Sequence, residues 1–221
     1  MIIQQSILKL KTEPSLSAHG NSLRGYISNQ FPQYDILHNH KDVGKFIYLY
    51  PRIQYRIIKE EGYIIGIEEG SNLVQLIGSK IETITLKDEI HKILKKQITS
   101  EDVQFGITDS VITYSFIKPW LALNEKNYSD FIHVRTKKDK DVILKNILTG
   151  NLLSISKSLG YIVEQQINVT SLNLSETDSF LKGTPMLGFL GTFSVNFEIP
   201  DFWGIGKSVS RGFGTVKKLK I

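Results

Sequence analysis

Arg52-Ile-Gln-Tyr-Arg-Ile-Ile-Lys-Glu-Glu-Gly-Tyr-Ile-Ile-Gly-Ile67 decides the architecture. Two β-rich runs, Arg52 to Lys59 and Gly62 to Ile67, flank Glu60-Glu61-Gly62, which reads as the turn of a hairpin. Working outward, Ile2 to Leu10 alternates as a half-buried strand does, and Leu16, Leu23 and Ile27 recur near helical spacing between Pro14 and Phe31. Beyond the hairpin, Glu69 to Gly78 predicts a short helix and Lys80 to Leu86 a strand. The order strand, helix, strand, strand, helix, strand is the βαββαβ unit of the ferredoxin-like fold.

The same grammar extends, less regularly, to the rest of the chain. Glu89 to Ile98 is ambiguous between helix and strand. Gln104 to Ile107 and Val111 to Ile117 read as paired strands around Thr108-Asp109-Ser110. A polar stretch follows. Val142, Ile143, Ile147, Leu148, Leu152 and Ile155 then predict an amphipathic helix over Asp139 to Leu159, with Gly160 as its cap. Gln165 to Leu174, Gly188 to Phe197 and Gly214 to Leu219 read as strands. The expectation is an α+β chain of tandem ferredoxin-like (RRM-like) domains, residues 1–86 and 87–221.

Composition bounds the function. The chain has 221 residues, with 27 Lys and Arg against 22 Asp and Glu, for a net charge of +5. Cysteine is absent, which removes disulfides and thiolate metal sites and suggests an intracellular, cytoplasmic protein. No apolar run is long enough for a membrane span. The positive excess gathers at the end of the chain, where Lys207, Arg211, Lys217, Lys218 and Lys220 stand with no acid from Phe202 onward. Such clustering favours a polyanionic partner.

That basic end is Gly204-Ile-Gly-Lys-Ser-Val-Ser-Arg-Gly-Phe-Gly214, followed by Thr-Val-Lys-Lys-Leu-Lys-Ile221. Gly204, Gly206, Gly212 and Gly214 let the backbone approach a ligand, and Lys207, Ser208, Ser210 and Arg211 supply cations and hydroxyls between them. Small nucleotides are excluded. A P-loop needs glycine where Asp201 stands, and the dinucleotide fingerprint needs glycine in place of Val209. A polymeric phosphate backbone remains the better match.

A second group of reactive residues is Leu37-His38-Asn-His40-Lys41, followed by Lys45 and a tyrosine-rich run to Tyr55. Histidine, lysine and tyrosine suit acid–base work on a phosphodiester near neutral pH. RNA carries its own nucleophile, so an enzyme need only take the 2′-OH proton, protonate the departing 5′-oxygen and stabilise the charged phosphorane. A metal on the His-x-His pair is disfavoured, since only Asp35 and Asp42 lie near. His19, His91 and His133 are read as structural. The run Lys137-Lys138-Asp139-Lys140 is read as a solvated face.

These features together resemble the CRISPR-associated repeat-processing endoribonucleases, the sixth Cas family (Cas6-type) of the RAMP superfamily. The glycine-rich Gly204 to Gly214 matches that family's C-terminal signature. Leu37-His-Asn-His40, with Tyr50-Pro-Arg-Ile-Gln-Tyr55 and Gly66-Ile-Glu-Glu-Gly70, looks like a subgroup of it. The resemblance implies cleavage of CRISPR repeat RNA (pre-crRNA) without metal or other cofactor, leaving a 2′,3′-cyclic phosphate and a 5′-hydroxyl. It also implies a site at His40 with Lys45 and Tyr26. Tyr34 is an alternative tyrosine, and His38 an equal partner, so acid and base roles stay open. The glycine loop would bind RNA, with Lys207 and Arg211 as its cations. The protein is expected to act as a monomer or homodimer, alone or with a CRISPR effector complex, away from membranes. The alternative is a non-catalytic RNA-binding RAMP subunit.

Overall fold

The computed structural model describes residues 1–37 and 49–220, and these contain nine strands and four helices. They form two compact units. One comprises residues 2–103 with Ser210–Gly212, and the other Met1, residues 104–209 and the chain from Phe213.

In the first unit, β1 (Ile2–Glu13) pairs antiparallel with β3 (Glu61–Ile67), which pairs antiparallel with β2 (Ile53–Ile58). Helix α1 (Gly20–Gln30) precedes β2, and α2 (Glu69–Lys80) follows β3. A short β4 (Thr83–Leu86) then turns back into a long β5 (Glu89–Gln104), giving the sheet order β2-β3-β1-β5-β4. This is the ferredoxin-like order with β5 in the place beside β1 and β4 added outside it. The ambiguous 89–98 segment is therefore strand. The sequence reading divides the chain after Leu86, whereas the first sheet claims β5 and the unit runs to Val103.

Period-two registration explains the core. Leu8, Ile64 and Tyr55 lie in one cross-strand row and are fully buried. Leu23 and Ile27 of α1 and Val74 and Ile77 of α2 pack against that face. The hairpin turn sits one residue earlier than its composition suggests. Lys59 (φ 48°) and Glu60 (φ 62°) are its two central residues, joining the paired Ile58 and Glu61. Positive φ at both positions defines a type I′ turn, which matches the twist of the flanking strands. Gly62 instead lies within β3, where a Cβ would come 3.0 Å from Leu16 Cδ1. Lys87–Asp88 and Lys182–Gly183 are turns of the same kind.

The second unit has the order β7-β8-β6-β9, the ferredoxin-like arrangement itself. Its strands are β6 (Gly106–Trp120), β7 (Val169–Leu181), β8 (Thr184–Glu198) and β9 (Val216–Lys218). Thr108-Asp109-Ser110 is not a turn: β6 runs through it with a register shift against β8 between Ile107 and Ile112. The polar stretch after β6 holds a helix absent from the sequence reading, α3 (Glu125–His133), capped by the Asn124 side chain accepting from Asn127 N–H at 2.8 Å. Helix α4 (Lys137–Ser158) begins two residues before its expected start. Thr136 accepts from Asp139 N–H and donates to the Asp139 carboxylate, closing the first turn. Leu144, Leu148, Leu152 and Ile155 form its buried stripe. Between β8 and β9, where the fold's second helix would lie, runs the glycine-rich segment.

Two tyrosines report on each unit separately. Burial raises the Tyr55 and Tyr114 phenols well above the ordinary range. Tyr114 also donates to Phe197 O and accepts from Ile199 N–H. In the unfolded chain these phenols ionise near pH 10, so the stability they contribute is complete below about that pH and is lost as pH rises through the folded values. Alkaline titration followed by tyrosinate absorbance should show at least these two of the nine tyrosines ionising only as circular dichroism reports unfolding. Tyr55→Phe should shift the alkaline unfolding midpoint upward.

Candidate functional site

The glycine-rich segment is built by backbone packing. Ile205 N–H donates to Gly214 O, Gly214 N–H to Pro119 O, and Gly204 bridges Thr215. Gly214 has φ +62°, and a Cβ there would land on the Ile205 carbonyl. Gly206 has φ +88°, and its Cβ would meet Trp120 Nε1 at 2.6 Å. These two glycines are thus required to close the loop against the end of β6. Asp201, the residue that breaks the P-loop pattern, accepts from Lys218 N–H at 2.7 Å and secures β9.

The side chains divide into two groups. Lys207 turns back on its own unit: its N–H donates to Leu121 O at 3.3 Å and its Nζ to Leu123 O at 2.8 Å. The N–H groups of Ile205, Lys207 and Gly214 are therefore committed to carbonyls, which narrows the expected phosphate cradle. Ser208 takes a left-handed φ of 56°, and Ser210 is buried. Val209–Arg211 makes a short helical turn that carries Arg211.

Residues 210–212 belong to the first unit. Gly20, the first residue of α1, has no room for a side chain, since a Cβ would lie 2.5 Å from Tyr55 O and 2.8 Å from Arg211 O. Gly212, with φ +104°, faces the same Tyr55 carbonyl. One helical turn beyond Gly20 stands Arg24. Its guanidinium is lowered from the ordinary value first by burial and then by the positive charge of Arg211. Arg211 Nε is buried and has no hydrogen-bond partner among the described residues. Arg24 and Arg211 are both partly buried, and their charges act on one another. Arg24 is absent from the sequence reading. Its one local signal is the glycine four residues earlier, at a helix start where a side chain would ordinarily be tolerated.

Tyr26, on the same helix, donates its hydroxyl to Thr83 O at 2.9 Å and packs against the core of the first unit. His38, His40 and Lys45 lie outside the described residues. The chain is anchored on the near side by Ser28 Oγ donating to Leu37 O at 3.2 Å, and on the far side Tyr50 is buried. His91 is buried against Pro14 O at 2.8 Å, and His133 bonds Ser129 O of its own helix, in keeping with structural roles. Among the described residues no helix is long and apolar enough to cross a membrane.

Fold and loop together define a Cas6-type CRISPR protein, and the sequence models make the assignment specific. Residues 1–104 match the Cas6b N-terminal domain and residues 106–219 the Cas6b C-terminal domain. The chain belongs to the Cas6b family. A crystal structure of Cas6b is 37% identical with a TM-score of 0.89, covering 99% of this chain and all of that one. A second structure, of the CRISPR RNA processing endoribonuclease Cas6b, is 34% identical with a TM-score of 0.78 over the same shares. Uncharacterized protein MJ0978 of Methanocaldococcus jannaschii is 39% identical over 140 residues, 63% of this chain and 95% of its own. A CRISPR associated protein Cas6 at 13% identity and TM-score 0.59 shares the fold.

If the arginine pair engages RNA phosphates, replacing both with glutamine weakens RNA binding and lowers the magnitude of the salt-dependence slope by about one for each cation removed. Equilibrium binding across a salt series measures this. Gly214→Ala should lower the melting temperature and RNA affinity together.

Proposed function

We propose that this chain is an endoribonuclease that processes CRISPR precursor RNA by cutting within the repeat. The observation that carries the reading is the match of both halves to the Cas6b domains, together with near-complete superposition on a Cas6b that is an RNA processing endoribonuclease. The arginine pair of α1 and the glycine loop adds a feature suited to an RNA phosphate.

In the proposed chemistry, one histidine of the His38/His40 pair removes the proton from the 2′-OH of the nucleotide preceding the cut. The freed oxygen attacks the adjacent phosphorus. Arg24 and Arg211 offset the growing negative charge of the phosphorane, and Lys45 is a further cation for the same task. A protonated group, the second histidine or Tyr26, donates to the departing 5′-oxygen. Tyr26 is the weaker donor, because its hydroxyl proton is already given to Thr83 O. The bond to the 5′-oxygen breaks, leaving a 2′,3′-cyclic phosphate and a 5′-hydroxyl. No metal or other cofactor takes part in this scheme. The RNA partner is the CRISPR repeat, and the glycine loop holds the strand beside the cut.

A 2′-deoxy nucleotide before the cut should abolish cleavage and spare binding, while EDTA leaves the rate unchanged. His40→Ala should slow cleavage by about 100-fold or more with RNA affinity nearly unchanged. Continued cutting of the deoxy substrate would overturn the mechanism. Tight binding without cleavage of any repeat would favour the non-catalytic subunit instead.

A further inference from the structure

Beside the glycine loop, wholly within the second unit, lies a depression of about 320 Å³. That is the low end of the roughly 300–1,000 Å³ typical of small-ligand pockets. Its polar lining comes from Asn124, Asn127 and Asn151, with Lys207 at one edge and Ile147 and Gly150 contributed by α4.

Gly150 is the unusual member. It sits in the interior of a 22-residue helix, where glycine costs about 1 kcal/mol relative to alanine. Packing does not require it, since a Cβ there would meet no atom within 4 Å. The space that Cβ would enter is open, and Gly150 is among the residues that line the depression. Gly206, also in the lining, is kept bare for the separate reason that a Cβ there would strike Trp120.

The three amides are oriented by what they already bind. Asn151 Oδ1 accepts from Trp120 Nε1 at 3.1 Å, which turns its NH2 away from the indole. Asn124 Oδ1 accepts from Asn127 N–H, leaving its NH2 as a donor. Asn127 contributes a further amide with both a donor and an acceptor. Lys207 Nζ is already directed to Leu123 O. A phosphate site would concentrate cations, whereas this one presents amides beside aliphatic carbon. That chemistry matches the mixed donor and acceptor edge of a nucleobase.

We infer that the depression between α4 and the glycine loop holds one unpaired base of the RNA whose backbone the loop engages. The inference rests on the RNA-processing reading above. It adds a site that reads a base, where the arginine pair is sequence-blind. Gly150 is the opening through which the base enters.

The test uses the full-length protein, short single-stranded RNA oligomers of uniform base, and an oligomer of the same length without bases. The wild type should bind its preferred base about 10-fold tighter than the abasic strand. Gly150→Leu fills the depression and favours the helix. It should keep or raise the melting temperature, cut the base-to-abasic ratio several-fold, and leave both the abasic affinity and the salt slope unchanged. Gly150→Ala should raise the melting temperature with a smaller loss. Asn127→Ala provides a second variant, independent of the helix, and should reduce the same ratio. Wild-type ratios in both Gly150→Leu and Asn127→Ala would overturn the pocket while leaving the RNA reading intact. Failure of the wild type to bind any of these strands, with or without bases, would overturn both.

Discussion

The glycine loop depends on a backbone contact that admits no side chain. Gly214 gives its N–H to Pro119, takes the Ile205 N–H, and lies so close to the Ile205 carbonyl that any Cβ would strike it. This closure fixes where the loop leaves β8 and returns to β9, and hence the short turn that carries Arg211. It also presses Gly206 onto Trp120, whose indole is in turn held by Asn151. A buried unpaired polar group costs on the order of 1–3 kcal/mol, so the three committed N–H groups are first a folding requirement.

A division of labour between glycines follows. Gly206 and Gly214 shape the loop within one unit, and Gly20 and Gly212 leave room at the Tyr55 carbonyl within the other. Arg24 and Arg211 then approach one another although they repel, and burial adds to the cost of their charges.

Much of this architecture was legible in the chain. Residues 52–67 announced the hairpin, and α2 and α4 were visible in their apolar spacing, because alternation and helical periodicity survive in single sequences. The failures have physical causes. Glu60-Glu61-Gly62 misplaced the turn because Lys59 and Glu60 adopt left-handed φ without glycine, while Gly62 is set by the Leu16 side chain. Helix α3 escaped notice because it is only nine residues long and Phe131 is its one buried residue. Arg56, a cation within β2, is fully buried and donates to Tyr55 O and Gln54 Oε1, with burial lowering it to about 10. At the site, the glycines and Arg211 were read from composition. Arg24 and the open face at Gly150 were not, since each acquires meaning only from neighbours far away in the chain.

The three two-residue turns, Lys59–Glu60, Lys87–Asp88 and Lys182–Gly183, constrain how this chain can change in length. Each joins strands paired up to the turn itself, as Leu181 with Thr184. One inserted residue would slip a strand by half its period and exchange its buried and exposed faces. Gains and losses of residues are therefore disfavoured in the hairpins and better accommodated in connections that carry no strand ladder, among them 14–19, 121–124, 159–168 and 199–203. Two of these connections, after β6 and after β8, lead into the segments that contribute to the candidate base pocket and form the loop. A change of length there would alter the loop and the depression while leaving both sheets in register.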